Sequence, residues 1–314
     1  MSPIDTDLTE RSRISKYPQQ SPRYLRPPVK IKSISSHEKQ IMITIITPVY
    51  NGEKFVESCI KAVIEQACPE VEHLIIDGGS DDRTLAIVQQ YAEEFAHIRW
   101  ISEKDKGQSD AMNKGVLLAK NEIIGFLNVD DYYEPGVLNR ILEVFNDLPN
   151  PSFVVGNCNI WQADGTLWTV NRPAKLKLSD LLLGFHVNPF PMNPSAYFYH
   201  RSLHQKVGLY QVDDHYTMDV EFILRAVQAA TVHYFDQLWG NYQMLEGTKT
   251  VDDFKNGLGK DRVALLFREY RSQLPQPQKA RVGFLYALLE AKYKLRWFLI
   301  NRRDELKLRL KEIA

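Results

Sequence analysis

Cysteine is scarce in this 314-residue chain: Cys59, Cys68 and Cys158 are an odd number and include no CxxC pair. That speaks against a disulfide framework and a structural zinc site, and it suits a reducing cytosol. Net charge is missing as well, since 39 basic side chains balance 39 acidic ones. A dedicated nucleic-acid binder would carry a strong basic excess, so no nucleic-acid partner is expected. The N-terminal stretch lacks the apolar segment of a secretory signal peptide. One uncharged run, Leu181 to His200, reaches membrane-spanning length, but Asn188, Pro189, Pro191, Asn193 and Pro194 interrupt it. A regular helix in lipid cannot carry those breaks, so the run reads as an irregular segment of a soluble domain. No GxGxxG fingerprint follows the first apolar run, which ends in Thr47-Pro48, and a nicotinamide oxidoreductase is disfavoured. There is no internal repeat.

What is present is ordinary globular material, 44% hydrophobic and 25% charged, which excludes wholesale disorder over a length of one large or two ordinary domains. Residues 1–40 are rich in Pro, Ser and Arg and read as a mobile extension. Four β-branched runs then follow one another at 41–46, 71–76, 97–101 and 122–127. Helical patterns lie between them, from Phe55 to Ala67, Asp82 to Phe95 and Ser109 to Ala119. Strand alternating with helix predicts an α/β fold with a mainly parallel sheet covered on both faces. Beyond Asp131 the pattern predicts strands 153–161 and 166–170 around an Asp164-Gly165 turn, a short helix at 180–184, a strand at 196–199 and a helix at 219–230. The last sixty residues read as two helices parted by the proline-rich breaker 273–278.

Each of the four strands runs into a polar or glycine-rich loop: 47–52, 77–82, 103–108 and 128–131. Ligands of open parallel sheets bind outside the carboxyl ends of the strands, so these loops should converge on one crevice. Asp130 and Asp131 are adjacent acids that repel one another unless a cation sits nearby; hard oxygen ligands of this kind suit Mg2+ or Mn2+. A solvated turn ahead of a helix at Pro135 explains the same pair. Ser80, Asp81 and Asp82 fit the capping of the next helix, but capping does not account for Asp77 or for two consecutive glycines that would let a ligand approach the backbone.

Taken together the segments ITIITPVYNGEKFVESCIKAVIEQ, LIIDGGSDDRT and SEKDKGQSDAMNKGVLLAKNEIIGFLNVDDYYEPG resemble family 2 glycosyltransferases, and the likeness resumes at RSLHQKVGLY and YTMDVEFILRA. The resemblance implies a GT-A type fold, a Rossmann-like sheet flanked by helices, with a helical C-terminal extension here. It implies a nucleotide-sugar half, 41–136, and an acceptor-side half, 137–254, followed by a basic helical region, 255–314. By the same resemblance Thr47, Pro48, Tyr50 and Glu53 match the loop around the nucleoside, and Asp77, Gly79 and Ser80 the loop at the base. Asp105, Gly107, Gln108, Asp110 and Lys114 match the segment along the donor sugar and diphosphate. Asn128-Val129-Asp130 stands at the DxD motif, with Asp130 and Asp131 as metal ligands, and Asp219 matches the catalytic base. The implied activity is inverting, metal-assisted transfer from a UDP-, GDP- or dTDP-sugar to a glycan or lipid-linked acceptor in surface-polysaccharide synthesis.

Departures from the family pattern leave two alternatives standing. Asn128 replaces the first acid of the DxD, Met112 stands where many members carry arginine, and Leu245 can bind neither metal nor phosphate. A degenerate, non-catalytic sugar-binding protein is one alternative, and a sugar nucleotidyltransferase the other. The latter would need a Gly-rich, Arg-containing loop where TPVYNGEKF stands. No QxxRW motif of processive synthases occurs, which favours single-sugar transfer. The neutral total conceals polarity: residues 1–40 carry 8 basic and 4 acidic side chains and 255–314 carry 15 and 6, leaving 16 against 29 in 41–254. Helix 279–314, basic and rich in aromatics, fits an anionic membrane surface, burial against the domain, or self-association. The expected location is cytoplasmic, at the inner face of the membrane if that helix binds lipid.

Overall fold

The structure is a computed structural model that describes residues 42–185, 187–214, 216–248, 251–252 and 258–313. The expected extension 1–40, His186 and His215 lie outside the described residues. The first run becomes β1 (Ile43–Val49), displaced toward its C-terminal end relative to the apolar pattern, and α1 (Val56–Ile64) follows. Then come β2 (Val71–Asp77), α2 (Thr84–Glu94), β3 (Ile98–Ser102), α3 (Gln108–Leu118) and β4 (Ile123–Phe126). Every residue of β1, β2 and β4 is buried, which is why these strands read as unbroken apolar runs rather than alternating ones.

The second half begins with a two-residue strand, β5 (Tyr132–Tyr133), and α4 (Val137–Phe145). A hairpin, β6 (Ser152–Trp161) and β7 (Leu167–Asn171), turns where Asp164 accepts from the Thr166 amide, as the Asp-Gly pair predicts. After it come α5 (Leu178–Leu181), a 3-10 turn (Pro194–Ala196), β8 (Tyr197–His200), α6 (Leu203–Val207), α7 (Met218–Ala229) and β9 (Thr231–Gln243). Helices α8 (Leu258–Gln273) and α9 (Gln278–Ile313) close the chain on either side of the expected breaker.

All nine strands join one sheet in the order β3-β2-β1-β4-β8-β6-β9-β5, with β7 beside β6. β1 to β4 pair in parallel, β8 inserts antiparallel between β4 and β6, and β9 runs parallel to β6. Six strands therefore run one way, a mostly parallel sheet with a mixed second half. α1, α2 and α4 supply the apolar cover of one face; α3, α7 and α8 supply that of the other.

The helix start at Thr84 corrects one capping expectation. Asp82, not Ser80, accepts from the Thr84 amide, at 2.9 Å, while Ser80 is held by the loop before it. Packing also joins the C-terminal helices to the core. Phe267 of α8, Leu274 directly after it and Val282 of α9 are buried in the same cluster as Phe222 of α7. Deleting a buried aromatic side chain costs about 3–5 kcal/mol. Phe267→Ala should therefore lower unfolding stability by about 3 kcal/mol, whereas Leu265→Ala, on the exposed side of the same helix, should change it by less than about 0.5. Urea titrations of the two variants check this, and equal effects would detach α8 from the core.

Candidate functional site

The loops at the carboxyl ends of β1, β3 and β4 do converge. A cavity of about 390 Å³ is lined by Pro48, Val49 and Tyr50 from the first, Asp105, Gly107 and Gln108 from the second, and Asn128, Val129 and Asp130 from the third. That size falls in the range of small-molecule sites. Gly107 has a φ of 118°, a conformation open to glycine, and it turns the chain directly into the first turn of α3. Gln108, at that helix start, donates to Asn128 Oδ1 at 3.2 Å and ties the second loop to the third.

Other residues matched by resemblance point elsewhere. Thr47 is fully buried, its hydroxyl 3.0 Å from His73 Nε2, and so it fixes β1 against β2 rather than facing the cavity. Glu53 accepts from the Arg83 amide, and its own amide donates to Asp82, so it fastens the first loop to the start of α2. Asp77 is fully buried and accepts from the amides of Gly79 and Ser80 and the hydroxyls of Ser80 and Ser102. It shapes the 78–80 loop from within. Gly78 is held in a close protein contact: a Cβ there would lie 2.5 Å from an Asp105 carboxylate oxygen. Asp110 accepts from the Lys106 amide, and Lys114 is engaged with Glu103, Asp110 and the Lys104 carbonyl.

The two adjacent acids part company. Asp130 reaches the cavity. Asp131, expected beside it as a second metal ligand, is 3% exposed and turned inward. It accepts from Asn128 Nδ2 at 2.9 Å, Asn193 Nδ2 at 2.7 Å and the Gln243 amide at 3.3 Å. Burial and the neighbouring Asp130 charge push it up to about 8, against the pull of those donors. Burial also raises Asp130 above the ordinary carboxylate range. Among the described residues no group of three or more His, Cys, Asp or Glu could hold a metal by itself. The donor chemistry at the cavity, the carboxylates of Asp130 and Asp105, fits a hard cation that takes few protein ligands and completes its shell with phosphate oxygens.

Asp219 lies in the first turn of α7. Its Oδ1 is buried and has no hydrogen-bond partner among the described residues. Burial raises the carboxyl to about 6, and the charge of Asp214 adds to the shift. The loop before α7 is fastened to α3, where Ser109 Oγ meets Met218 Sδ at 2.6 Å and the Asp214 carbonyl at 3.1 Å. Since Ser109 directly follows cavity-lining Gln108, this places the start of α7 beside that wall. The sequence pattern did not single out Tyr242 and Thr248, which line the cavity, or Asn193, which holds Asp131. Tyr242 lies in β9, a strand with little alternation, and Asn193 lies in the irregular Pro-rich segment.

A family model, glycosyl transferase family 2, matches residues 44–208, more than half of the chain. The chain belongs to family 2. Among related proteins, the uncharacterized glycosyltransferase EpsJ of Bacillus subtilis is 29% identical over 198 residues, 60% of this chain and 57% of that protein. The Escherichia coli chondroitin synthase is 30% identical over 178 residues, 55% of this chain but 26% of the synthase. This family 2 chain thus spans little more than half of one relative and about a quarter of the other. The crystal structure of S. aureus TarS 1-349 in complex with UDP-GlcNAc superposes with a TM-score of 0.58 at 17% identity, covering 77% of this chain and 70% of that one. The likeness establishes the GT-A fold.

Asn128 separates this member from the usual DxD, and its amide explains how Asp131 is tolerated. In Asn128→Asp an acid would replace the donor 2.9 Å from Asp131. A carboxylate pair at that distance binds a proton in the folded state, so stability should be lost as pH rises. The variant's melting temperature is expected to fall below wild type by a margin that widens from pH 6 to pH 8, with a deficit of about 1–3 kcal/mol at the upper end. A margin independent of pH would contradict the bridging role.

Proposed function

We propose that the chain is an inverting glycosyltransferase that moves one sugar from a nucleotide diphosphate donor to an acceptor hydroxyl. The observation that carries the reading is the Asp219 carboxylate at the start of α7, half-buried, with an enclosed Oδ1 that has no hydrogen-bond partner among the described residues, beside the wall of a cavity that presents Asp130. Family membership and the GT-A fold support it. Sugar transfer with inversion needs a base on the acceptor side and charge neutralisation on the leaving-group side. Asp219 takes the acceptor's proton as the hydroxyl oxygen attacks the anomeric carbon; a carboxylate oxygen with no competing donor among the described residues is well suited to receive it. Tyr50, 64% exposed at the cavity rim, offers an aromatic face to the nucleoside. Gln108 and Asp105, which line the cavity, would flank the donor sugar and diphosphate.

A divalent cation, Mg2+ or Mn2+, would be held by Asp130 together with the donor's phosphate oxygens and would stabilise the departing diphosphate. Asp131 acts behind it, fixing the Asn128–Asp130 turn. The preferred donor class is a UDP-sugar, as UDP-GlcNAc and UDP are the ligands named for the TarS structures of the same fold. A hydroxyl of a glycan or lipid-linked acceptor in surface-polysaccharide assembly is the matching acceptor class.

Asp219→Asn should lower turnover by about 10²–10⁴-fold while leaving the UDP-sugar-induced rise in melting temperature in place. In the wild type, kcat/KM should fall tenfold per pH unit below about 6, because the base must be ionised in the free enzyme, and should level off above it. Full activity in the Asn variant would remove the base. UDP-sugar binding without turnover at any pH would reduce the protein to a sugar-nucleotide binder. Chelation should abolish transfer, Mn2+ should restore it, and Asp130→Asn should raise the Mn2+ concentration needed for half-maximal rate; activity that survives chelation would exclude the cation.

A further inference from the structure

Helix α9 is apolar on two opposite sides. One side is covered: Val282 is buried, Leu285, Tyr286 and Leu289 are half-buried, and the Arg271 guanidinium lies 3.8 Å from the centre of the Tyr286 ring. Arg271 also donates to the Leu182 carbonyl, so the corner between α8 and α9 is fastened to the domain. At 3.6 residues per turn, Phe284, Leu288, Leu295, Phe298 and Leu299 fall in a stripe about 100° wide on the far side of the helix. Each of the five is more than half exposed.

Charge decides what can cover that stripe. Residues 278–302 carry Lys279, Arg281, Lys292, Lys294, Arg296 and Arg302 against a single acid, Glu290, which is 3.3 Å from Lys294. Arg281 and Lys292 flank the stripe on one side and Lys294 on the other, with Arg302 at its end. A second copy packed stripe to stripe would bring these cations against their own counterparts. An anionic bilayer surface meets both demands, taking the Phe and Leu side chains at the acyl boundary while its headgroups neutralise the flanking charges. No helix among the described residues is long and apolar enough to cross a membrane, so contact of this kind lies in the plane of the surface.

We propose that the Phe284–Leu299 stripe of α9 is a docking face for anionic lipid. The proposal stands apart from the proposed function, since none of the stripe's residues lines the cavity. It also bears on the reaction. Tyr270 of α8 donates to Glu221, two residues beyond Asp219, so a lipid surface held by α9 is mechanically tied to the helix that carries the base.

Flotation of the full chain with vesicles of phosphatidylcholine containing about a third phosphatidylglycerol tests it. Wild type should float with these vesicles and bind pure phosphatidylcholine, or the mixed vesicles in high salt, at least about tenfold more weakly. Phe284→Ser with Leu295→Ser and Phe298→Ser should cost a further tenfold or more, with the melting temperature unchanged. Should that triple variant melt early, Arg281→Gln with Lys292→Gln, confined to exposed cations, tests the same contact and should remove the preference for anionic vesicles. Failure of wild type to float, or flotation unaffected by either variant, overturns the proposal. So does a wild-type dimer that the triple variant converts to monomers with no lipid binding in either, which would give the stripe to self-association.

Discussion

Asp131 sits just beyond a strand whose every residue is buried, where an ionised carboxylate costs several kcal/mol unless donors surround it. Its donors come from three separated stretches: Asn128 in its own loop, Asn193 in the Pro-rich segment before β8, and the Gln243 amide at the end of β9. Gln243 adds a second tie, its side chain donating to the Asp130 carbonyl at 2.8 Å. One sealed carboxyl group therefore gathers both halves of the sheet and leaves Asp130, of the adjacent pair, as the acid that faces the cavity. The neighbouring loops use their polar groups in the same way: Asp77 and Glu53 direct their oxygens at backbone amides and so hold the loops in shape.

How much of this was legible in the sequence varied with burial. β1 to β4 announced themselves because strands covered on both faces must be continuously apolar, and the glycine, proline and aspartate turns bounded them. β9 escaped because its central stretch, Phe235 to Gly240, mixes Asp, Gln and Gly with aromatics, and its ladder with β6 shifts register twice. β5, two residues long, has no period to read. At the site, residue type told which groups carry charge but not which way each points. Thr47, Asp77 and Asp131 all face inward, and nothing in a one-dimensional pattern distinguishes a carboxylate aimed at protein amides from one aimed at a ligand. Asp219 was placed by family likeness, but its unpaired oxygen is a property of the packed structure alone.

The C-terminal region shows the opposite difficulty. Apolar residues on two opposite faces of α9 blur the helical pattern, so burial and exposure both fit the sequence. In the structure each reading holds for a different face. Val282 completes the domain's core, while Phe284 begins the uncovered row two residues later. The breaker between the helices, centred on Pro275 and Pro277, makes this division possible by turning the chain where the packed helix ends and the two-sided one begins.

The tie between Asn128, Asp131 and Asn193 has a consequence for how such domains can be recombined. The first two residues lie in the loop after β4 and the third in the segment before β8, 62 positions away from Asp131. A chimera joined anywhere between them would pair an inward acid with whatever side chain the other parent supplies at 193. Where that side chain cannot donate, the acid is left short of a partner at the point where the two halves meet. Exchanging second-half segments among relatives is thus constrained at one buried contact, and the three residues form a unit that must be transplanted together.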